Sequence, residues 1–481
     1  MNLAAWLLEA GVDDDTVLAW RGGQATYAEL RASVRRVAAC VRQFAQRDGD
    51  AIIPLVGGNS IEWVASYLGV LYAGAVPALV PPTTLVNLRA VFGEVDARLA
   101  LVDPGLAGGL TGLATTILPF DEATTNAITD DAPVAKPRAE MSALLYTSGS
   151  TGRPKGVMLS ASNLVANAEA ILAACPLDRA DRAFQTLPFF YCYGLSVLHT
   201  HLRAGASLYL SRAELPEAIV DDLVESDATG MPSIPSLFQT LATRSTLADR
   251  PPRRLRYVMV SGGRMADAAL ERLARALPGT TVHVRYGVTE LTAAASFLPP
   301  EHRLAKVGSI GRGLAGGELS VERGSDEVGE LVVRGAHVAM GYFRDDVLTR
   351  ERFRDGAFHT GDLARIDADG FIYLVGRRAE FVKTIGHRVS PAEVEEVLAL
   401  APGVLEAGVC GVPHPVRGEA LVAAVVLAPG AASTPATLLR HCASQLPAFK
   451  VPTKVVILDA LPRTPNQKLD RARLGALLSG G

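Results

Sequence analysis

Residues 144–156 read L-L-Y-T-S-G-S-T-G-R-P-K-G. The apolar pair and Tyr146 predict the end of a strand, and the rest predicts a tight polar loop. Gly149, Gly152 and Gly156 can adopt positive φ, so the backbone can turn successive N–H groups inward. Thr147, Ser148, Ser150 and Thr151 add hydroxyls, and Arg153 and Lys155 add positive charge. This is equipment for holding a polyphosphate. The order of residues also disfavours one fold. A Walker A loop needs G-K-[ST], and here Gly156 follows Lys155.

Strand-like runs at 50–56, 99–102, 207–210, 257–260 and 281–284 alternate with helical patterns. That alternation predicts an α/β architecture with largely parallel sheets. Over residues 26–47 apolar positions recur at helical spacing, and Thr26 with Glu29 makes a capping-box pattern. Residues 63–88 carry no charge and are long enough to span a bilayer. Gly69, Gly74, Pro77, Pro81 and Pro82 interrupt them, so a helix ending near Gly74 and then a short buried strand are expected, with no membrane span. Residues 124–139 read as a linker into the glycine-rich loop. After residue 305 short glycine-punctuated segments predict β-hairpins and a small barrel-like subdomain. Residues 381–481 predict a compact α+β unit, with helices at 391–400 and 435–445 and strands at 404–412, 420–427 and 454–458.

A chain of 481 residues is too long for one core and implies two or more domains. With 47 Lys plus Arg against 50 Asp plus Glu the net charge is −3, which argues against a nucleic-acid partner. The five cysteines are scattered without a C-x-x-C pair, which argues against a zinc site or a disulfide scaffold and fits a reducing cytoplasm. The apolar patch at 3–8 has no basic residue before it and three aspartates soon after, so it does not read as a signal peptide.

Five further segments carry chemistry. Y-G-V-T-E at 286–290 follows the strand at 281–284 and places an aromatic, a glycine, a hydroxyl and a carboxylate where ligands of parallel sheets collect. S-G-G-R-M at 261–265 follows another strand, and its glycines allow close approach to a flat ligand. H-T-G-D at 359–362 offers a carboxylate able to accept both hydroxyls of a ribose. G-R-R-A-E-F-V-K at 376–383 leads into G-H-R-V-S-P at 386–391, and L-P-R-T-P-N-Q-K-L-D closes the series at 461–470. Singly, several of these residues would more often be surface salt-bridge partners.

Together, and in this order, they resemble the adenylate-forming superfamily of acyl- and aryl-coenzyme A ligases, stand-alone adenylation domains and luciferases, over roughly residues 25–472. The resemblance implies a large N-terminal domain (1–376) of two αβ-layered sheets plus the barrel-like subdomain. A hinge at 377–380 would follow, and then a small mobile α+β C-terminal domain (381–481). It implies ATP and Mg²⁺. ATP or AMP would be bound by Thr147, Ser148, Gly149, Ser150, Thr151, Gly152, Lys155, Gly262, Gly263, Arg264, Tyr286, Gly287, Asp362 and Arg377. In this reading Tyr286 stacks on adenine, Thr289 contacts phosphate, Glu290 holds the metal and Lys468 is the catalytic lysine. Ala379 stands at the hinge, where the family usually has Asp or Lys, and Gln467 replaces the glycine before the lysine. Gly386 belongs to the face that would take part in thiol transfer after the C-terminal domain swings.

The expected reaction joins a small carboxylic acid to the α-phosphate of ATP, releases pyrophosphate, and passes the acyl group to a nucleophile. L-P-F-F-Y-C-Y-G at 187–194 resembles the family's acid-pocket segment, so Tyr191, Cys192, Tyr193, Ser261, Gly262 and Gly287 are the expected pocket residues. Amino-acid-activating relatives commonly carry Asp where Cys192 stands. Without it an α-ammonium would be buried unpaired, which disfavours amino acids. The aromatics suit an aryl or medium apolar acid, and Arg264 or Arg285 could anchor a second carboxylate. G-V-P-H-P at 411–415 with Gly418 and Glu419 looks most like coenzyme A ligases. A carrier protein's phosphopantetheine or an amine would be the alternative acceptors, and a non-catalytic nucleotide-binding protein is the alternative of another class.

Overall fold

The capping box written at residues 26–29 forms. Glu29 Oε2 accepts from the Thr26 amide at 2.8 Å and Thr26 Oγ1 from the Glu29 amide at 3.3 Å, which starts the helix Tyr27–Ala45. That helix crosses Ile61–Tyr72 so closely that a Cβ on Gly69 would lie 2.5 Å from Val37 Cβ. Every residue from Trp63 to Tyr72 is buried. Gly74 turns the chain at φ 79° into the strand Val76–Val80, itself buried throughout. The uncharged stretch is therefore domain core as far as Val80 and is exposed over residues 82–87, and no described helix is long and apolar enough to cross a membrane. The structure is a computed structural model. It describes the chain except residues 46–50, 111, 126, 129–131, 137–139, 149–153, 324–326, 378–379, 465–467 and 480–481.

Three sheets carry the described chain. The first runs in the order Gly341–Tyr342, Pro154–Ser160, Met141–Ser148, Val76–Val80, Ile52–Val56, Leu99–Val102 and Thr116–Pro119. Its strands from Met141–Ser148 onward are parallel, while the hairpin Met141–Ser148/Pro154–Ser160 that flanks the glycine-rich loop is antiparallel. The second has a parallel centre of Ser207–Leu210, Arg182–Gln185, Gly230–Ser233, Tyr257–Val260 and Thr281–Tyr286. From there Ser296–Leu298 and Ser309–Gly313 lead antiparallel into Ile372–Arg377, Ala357–Ile366, Gly329–Gly335 and Gly317–Arg323. This is the hairpin-rich region expected after residue 305, closed around its own small core of Leu331, Val333, Phe358 and Ile372.

The third sheet belongs to the C-terminal unit. The long hairpin Val404–His414/Gly418–Leu427 is covered by Pro391–Ala399 and Pro435–Gln445 around Val394, Leu398, Val425 and Leu438. Two elements had no clear mark in the sequence. One is the hairpin Thr16–Trp20/Gly23–Thr26, which extends the second sheet by pairing with Ser207–Leu210. The other is the final helix Arg471–Ser479, which buries Leu474 and Leu478 against the outer face of the third sheet. Residues 124–139, expected as linker, begin inside the helix Phe120–Thr125, and the described residues after 126 form neither helix nor strand.

Candidate active site

Two parallel strands of the second sheet, Tyr257–Val260 and Thr281–Tyr286, end side by side. The S-G-G-R loop follows the first, and Gly262 takes φ 85° there. Y-G-V-T-E follows the second, and a Cβ on Gly287 would fall 1.6 Å from the Ala293 carbonyl oxygen, so this position admits no side chain. The helix Cys192–Arg203 begins beside them. Thr289 donates its hydroxyl to Cys192 Sγ at 3.4 Å, and Tyr193 Oη donates to the Met259 carbonyl at 2.7 Å. Thr289, Cys192, Tyr193, Ser261, Gly262 and Gly287 thus share one cleft floor.

One side of the cleft is a polar chain. Asp362 and Arg377 face each other on the paired strands Ala357–Ile366 and Ile372–Arg377. Tyr286 Oη donates to Asp362 Oδ2 at 2.6 Å, and Arg377 Nε donates to Oδ1 at 2.8 Å. The Asp362 amide is held by Thr360 Oγ1 at 3.0 Å. Burial, and then the Asp362 carboxylate, push the Tyr286 hydroxyl well above its ordinary value, so it remains a donor. A carboxylate has about four lone-pair sites, so Asp362 keeps acceptor capacity for further hydroxyls.

Glu290 lies toward the glycine-rich loop. Tyr342 Oη donates to its Oε1 at 2.8 Å, and the Glu290 carbonyl accepts from the Ala339 amide at 2.9 Å. Tyr342 pairs with Val157 on the strand that leaves the glycine-rich loop. Of that loop, Thr147 is half-buried at the end of its strand, with Oγ1 3.4 Å from the Lys155 carbonyl, and Lys155 is half-buried opposite. Ser148 closes the strand by backbone pairing with Pro154. Gly149, Ser150, Thr151, Gly152 and Arg153 lie outside the described residues. Among the described residues no group of three or more His, Cys, Asp or Glu could hold a metal. Glu290 offers a single carboxylate, which suits a hard cation ligated mainly by nucleotide phosphates.

The other side of the cleft is organised by Arg285. It is 5% exposed, and its guanidinium sits 4.4 Å over the Tyr193 ring. Its Nη2 reaches Ser196 Oγ at 3.4 Å and its Nε has no partner. Among the described residues no carboxylate lies within ion-pair distance of it. The neighbouring aromatics are already committed. Phe189 is fully buried against Trp63, with ring centroids 5.5 Å apart, and Phe190 lies edge-on to Tyr191 at 4.5 Å. Burial pushes the Tyr191 hydroxyl up to about 12 and the His199 imidazole down to about 3. Both are therefore neutral near pH 7, and His199 is tied to Tyr67 Oη at 2.8 Å. A small cavity behind Cys192 is lined by Ser196, His199, Asn167 and Thr292.

The C-terminal unit closes the cleft. Lys468 is exposed in a turn pinned by Thr464, whose amide donates to the Lys468 carbonyl at 2.8 Å and whose Oγ1 accepts from the Lys468 amide at 3.2 Å. Burial pushes the Cys192 thiol up, while the Thr289 hydrogen bond and then the Lys468 charge act against that. Arg264 turns away from the cleft to Glu396, on the helix Pro391–Ala399, at 2.5 Å. Gln239 Nε2 donates to the Leu405 carbonyl at 3.0 Å across the same seam. Gly263 is exposed beside Arg264. Gly386, at φ 77°, occupies the exposed turn of the hairpin Val382–Thr384/His387–Val389. Ala379 and Gln467 lie outside the described residues. Sequence reasoning missed Tyr342, Ser196 and Glu396. Only Tyr342 carries a hint, as an aromatic beside a glycine at the start of a short strand.

The model of the AMP-binding enzyme family matches residues 8–343, and that of the AMP-binding enzyme C-terminal domain matches residues 393–468. The chain is 31% identical over 465 residues to a 2-succinylbenzoate–CoA ligase of Geobacillus kaustophilus, covering 94% of this chain and 93% of the relative. It is 35% identical over 408 residues to a sulfoacetate–CoA ligase of Cupriavidus necator, covering 81% and 78%. An O-succinylbenzoate coenzyme A synthetase from Bacillus subtilis, solved with ATP and magnesium ion, superposes with a TM-score of 0.86 at 26% identity over 98% of this chain and 99% of that one.

Proposed function

The chain belongs to the AMP-binding enzyme family, and from that premise we propose that it is an AMP-forming ligase joining a short carboxylic acid with a second anionic group to coenzyme A. The acid's carboxylate oxygen attacks the α-phosphorus of ATP and pyrophosphate leaves, which gives an acyl-adenylate. The coenzyme A sulfur then attacks the acyl carbon and AMP leaves.

Both reacting groups of the first step are anionic, so the enzyme must neutralise charge and hold an in-line approach. Lys468 is the cation that can stand between them, stabilising charge as it develops on the α-phosphate. Asp362 accepts the ribose hydroxyls, oriented by Tyr286 and Arg377. Thr289 donates to a phosphate or to the acid carboxylate above Cys192. Lys155 and the hydroxyls of the glycine-rich loop bind the departing pyrophosphate. Glu290 would hold a Mg²⁺ ion together with the nucleotide phosphates, and that ion would supply positive charge to offset the leaving group's. The observation that carries this reading is the convergence of Thr289 on Cys192 and of Tyr286 and Arg377 on Asp362 at neighbouring strand ends.

The substrate class rests on Arg285. A guanidinium buried without an acid partner is costly unless a ligand supplies the anion. Its place beside Tyr193 and Ser196, next to Cys192, is where the body of the acid would lie. Two relatives are named for acids with a second anionic group, the aryl dicarboxylate 2-succinylbenzoate and the short sulfoacetate. Of the four aromatics that suggested an aryl acid, Phe189 packs against Trp63 and Tyr193 lies beneath Arg285.

Acid-dependent ATP–pyrophosphate exchange tests the whole. Short dicarboxylates and sulfo-carboxylates should support exchange, and monocarboxylates of equal length should be poor. No exchange with any acid overturns the enzyme reading, and equal exchange with monocarboxylates overturns the substrate class. Thioester mass after addition of coenzyme A, compared with a holo carrier protein, tests the acceptor.

A further inference from the structure

Glu290, the carboxylate assigned to the cation, has one of its two oxygens already engaged. The Tyr342 hydroxyl that donates to Oε1 belongs to a ring 4% exposed, set edge-on to Phe353 at 5.6 Å. The Tyr342 backbone is fixed on both sides. The Tyr342 amide donates to Thr349 Oγ1 at 2.9 Å, and the Phe343 amide donates to the Gly156 carbonyl at 2.8 Å. Gly341 sits at φ 138°, where a Cβ would lie 2.6 Å from Thr349 Cγ2. The Met340 amide bonds the Met158 carbonyl and the Ala339 amide bonds the Glu290 carbonyl, both at 2.9 Å.

Five consecutive residues, 339–343, therefore tie the Glu290 backbone, the Glu290 carboxylate and the strand leaving the phosphate loop into one unit. Resting on the reading of Glu290 as a metal-holding carboxylate, we propose that Tyr342 is a positioning residue. It holds Glu290 Oε1 so that the other carboxylate oxygen is left for the cation, and it fixes that carboxylate relative to Lys155, whose strand pairs with its own, and through that strand to Thr147 one strand further on. Outer hydrogen-bond partners of metal ligands typically carry about 10–100-fold in metal affinity, and a neutral donor to a carboxylate of this kind falls in that class.

The test uses the full chain with Mn²⁺ and the α,β-methylene analogue of ATP, reading free Mn²⁺ by electron paramagnetic resonance. Tyr342→Phe should raise the half-saturating Mn²⁺ concentration about 10–100-fold. The KM for the acid and the rate of thioester formation from supplied acyl-adenylate, which needs no pyrophosphate charge neutralised, should stay within about twofold. Tyr342→Met, which keeps an apolar filler without the donor, should give the same shift if the Phe variant folds poorly. An unchanged Mn²⁺ midpoint in either folded variant overturns the proposal. Glu290→Gln separates the two readings. If it loses Mn²⁺ binding while Tyr342→Phe keeps it, only Tyr342's role fails. If Glu290→Gln binds Mn²⁺ like the parent, the Glu290 reading fails and Tyr342's role falls with it.

Discussion

The two sides of the cleft are built on opposite principles. On the nucleotide side the key acceptors already have donors in the protein: Asp362 holds Tyr286 and Arg377, and Glu290 holds Tyr342. On the acid side Arg285 is buried with an unpartnered Nε and, among the described residues, no facing carboxylate. The first arrangement pre-orients groups for a reactant that never changes. The second leaves a charge uncompensated until one class of reactant arrives. Ordering is inexpensive on the first side, because networks of satisfied polar groups hold their own geometry. On the second side the cost of the unmatched group becomes specificity, since analogues lacking the complementary group leave it unpaired.

The strongest attempt to break this contrast removes the group that serves both sides. Lys468→Ala should lower the adenylation rate roughly 10²–10³-fold, the range for losing one preorganised donor to developing charge. Thioester formation from supplied acyl-adenylate should be spared. Equal loss in both steps would contradict a role confined to the first. Next in size, Arg285→Met should cut kcat/KM for a dianionic acid by about 10–100-fold, the scale of hydrogen bonds to charged groups, and should improve a monoacid of equal length. A uniform loss for both acids would make Arg285 structural. On the nucleotide side Asp362→Asn should raise the KM for ATP about tenfold and leave the ranking of acids untouched. A changed ranking would show that the two sides are not separable.

Legibility in the sequence divides along the same line. The residues proposed for the nucleotide were brought together as expected because they sit at strand ends in fixed local strings, Y-G-V-T-E and H-T-G-D, whose spacing sets where they fall. The C-terminal helices and strands were readable for a related reason, since periodicity and the Pro391 and Pro435 helix starts are local signals. The acid side was not. Arg285 acquires meaning only when Ser196 and Tyr193, about 90 residues earlier, come beneath it and no described acid comes with them. Within the aromatic segment, Phe189 packs against Trp63, some 126 residues earlier, a pairing no local pattern marks. Tyr342 was hidden because its partner Glu290 is 52 residues away.

Arg264 gives the finest test. It stands in the loop that flanks both sides, yet its guanidinium points to Glu396 on the C-terminal unit, at 2.5 Å. The pair ties this loop to the C-terminal unit that carries Lys468. If the C-terminal unit withdraws Lys468 between the two half-reactions, this pair breaks with it. Both side chains remain more than a third exposed, so solvent screening limits the pair to about 0.2–1 kcal/mol. Glu396→Gln should therefore slow pyrophosphate exchange by roughly 1.4–5-fold without slowing thioester formation from supplied acyl-adenylate. The direction matters more than the size. A contact that merely stabilises the fold would depress both steps together or neither, whereas one that favours the Lys468-in arrangement moves only the first. Raising the ionic strength should erase the difference between Glu396→Gln and the parent, which places the effect on charge rather than on shape.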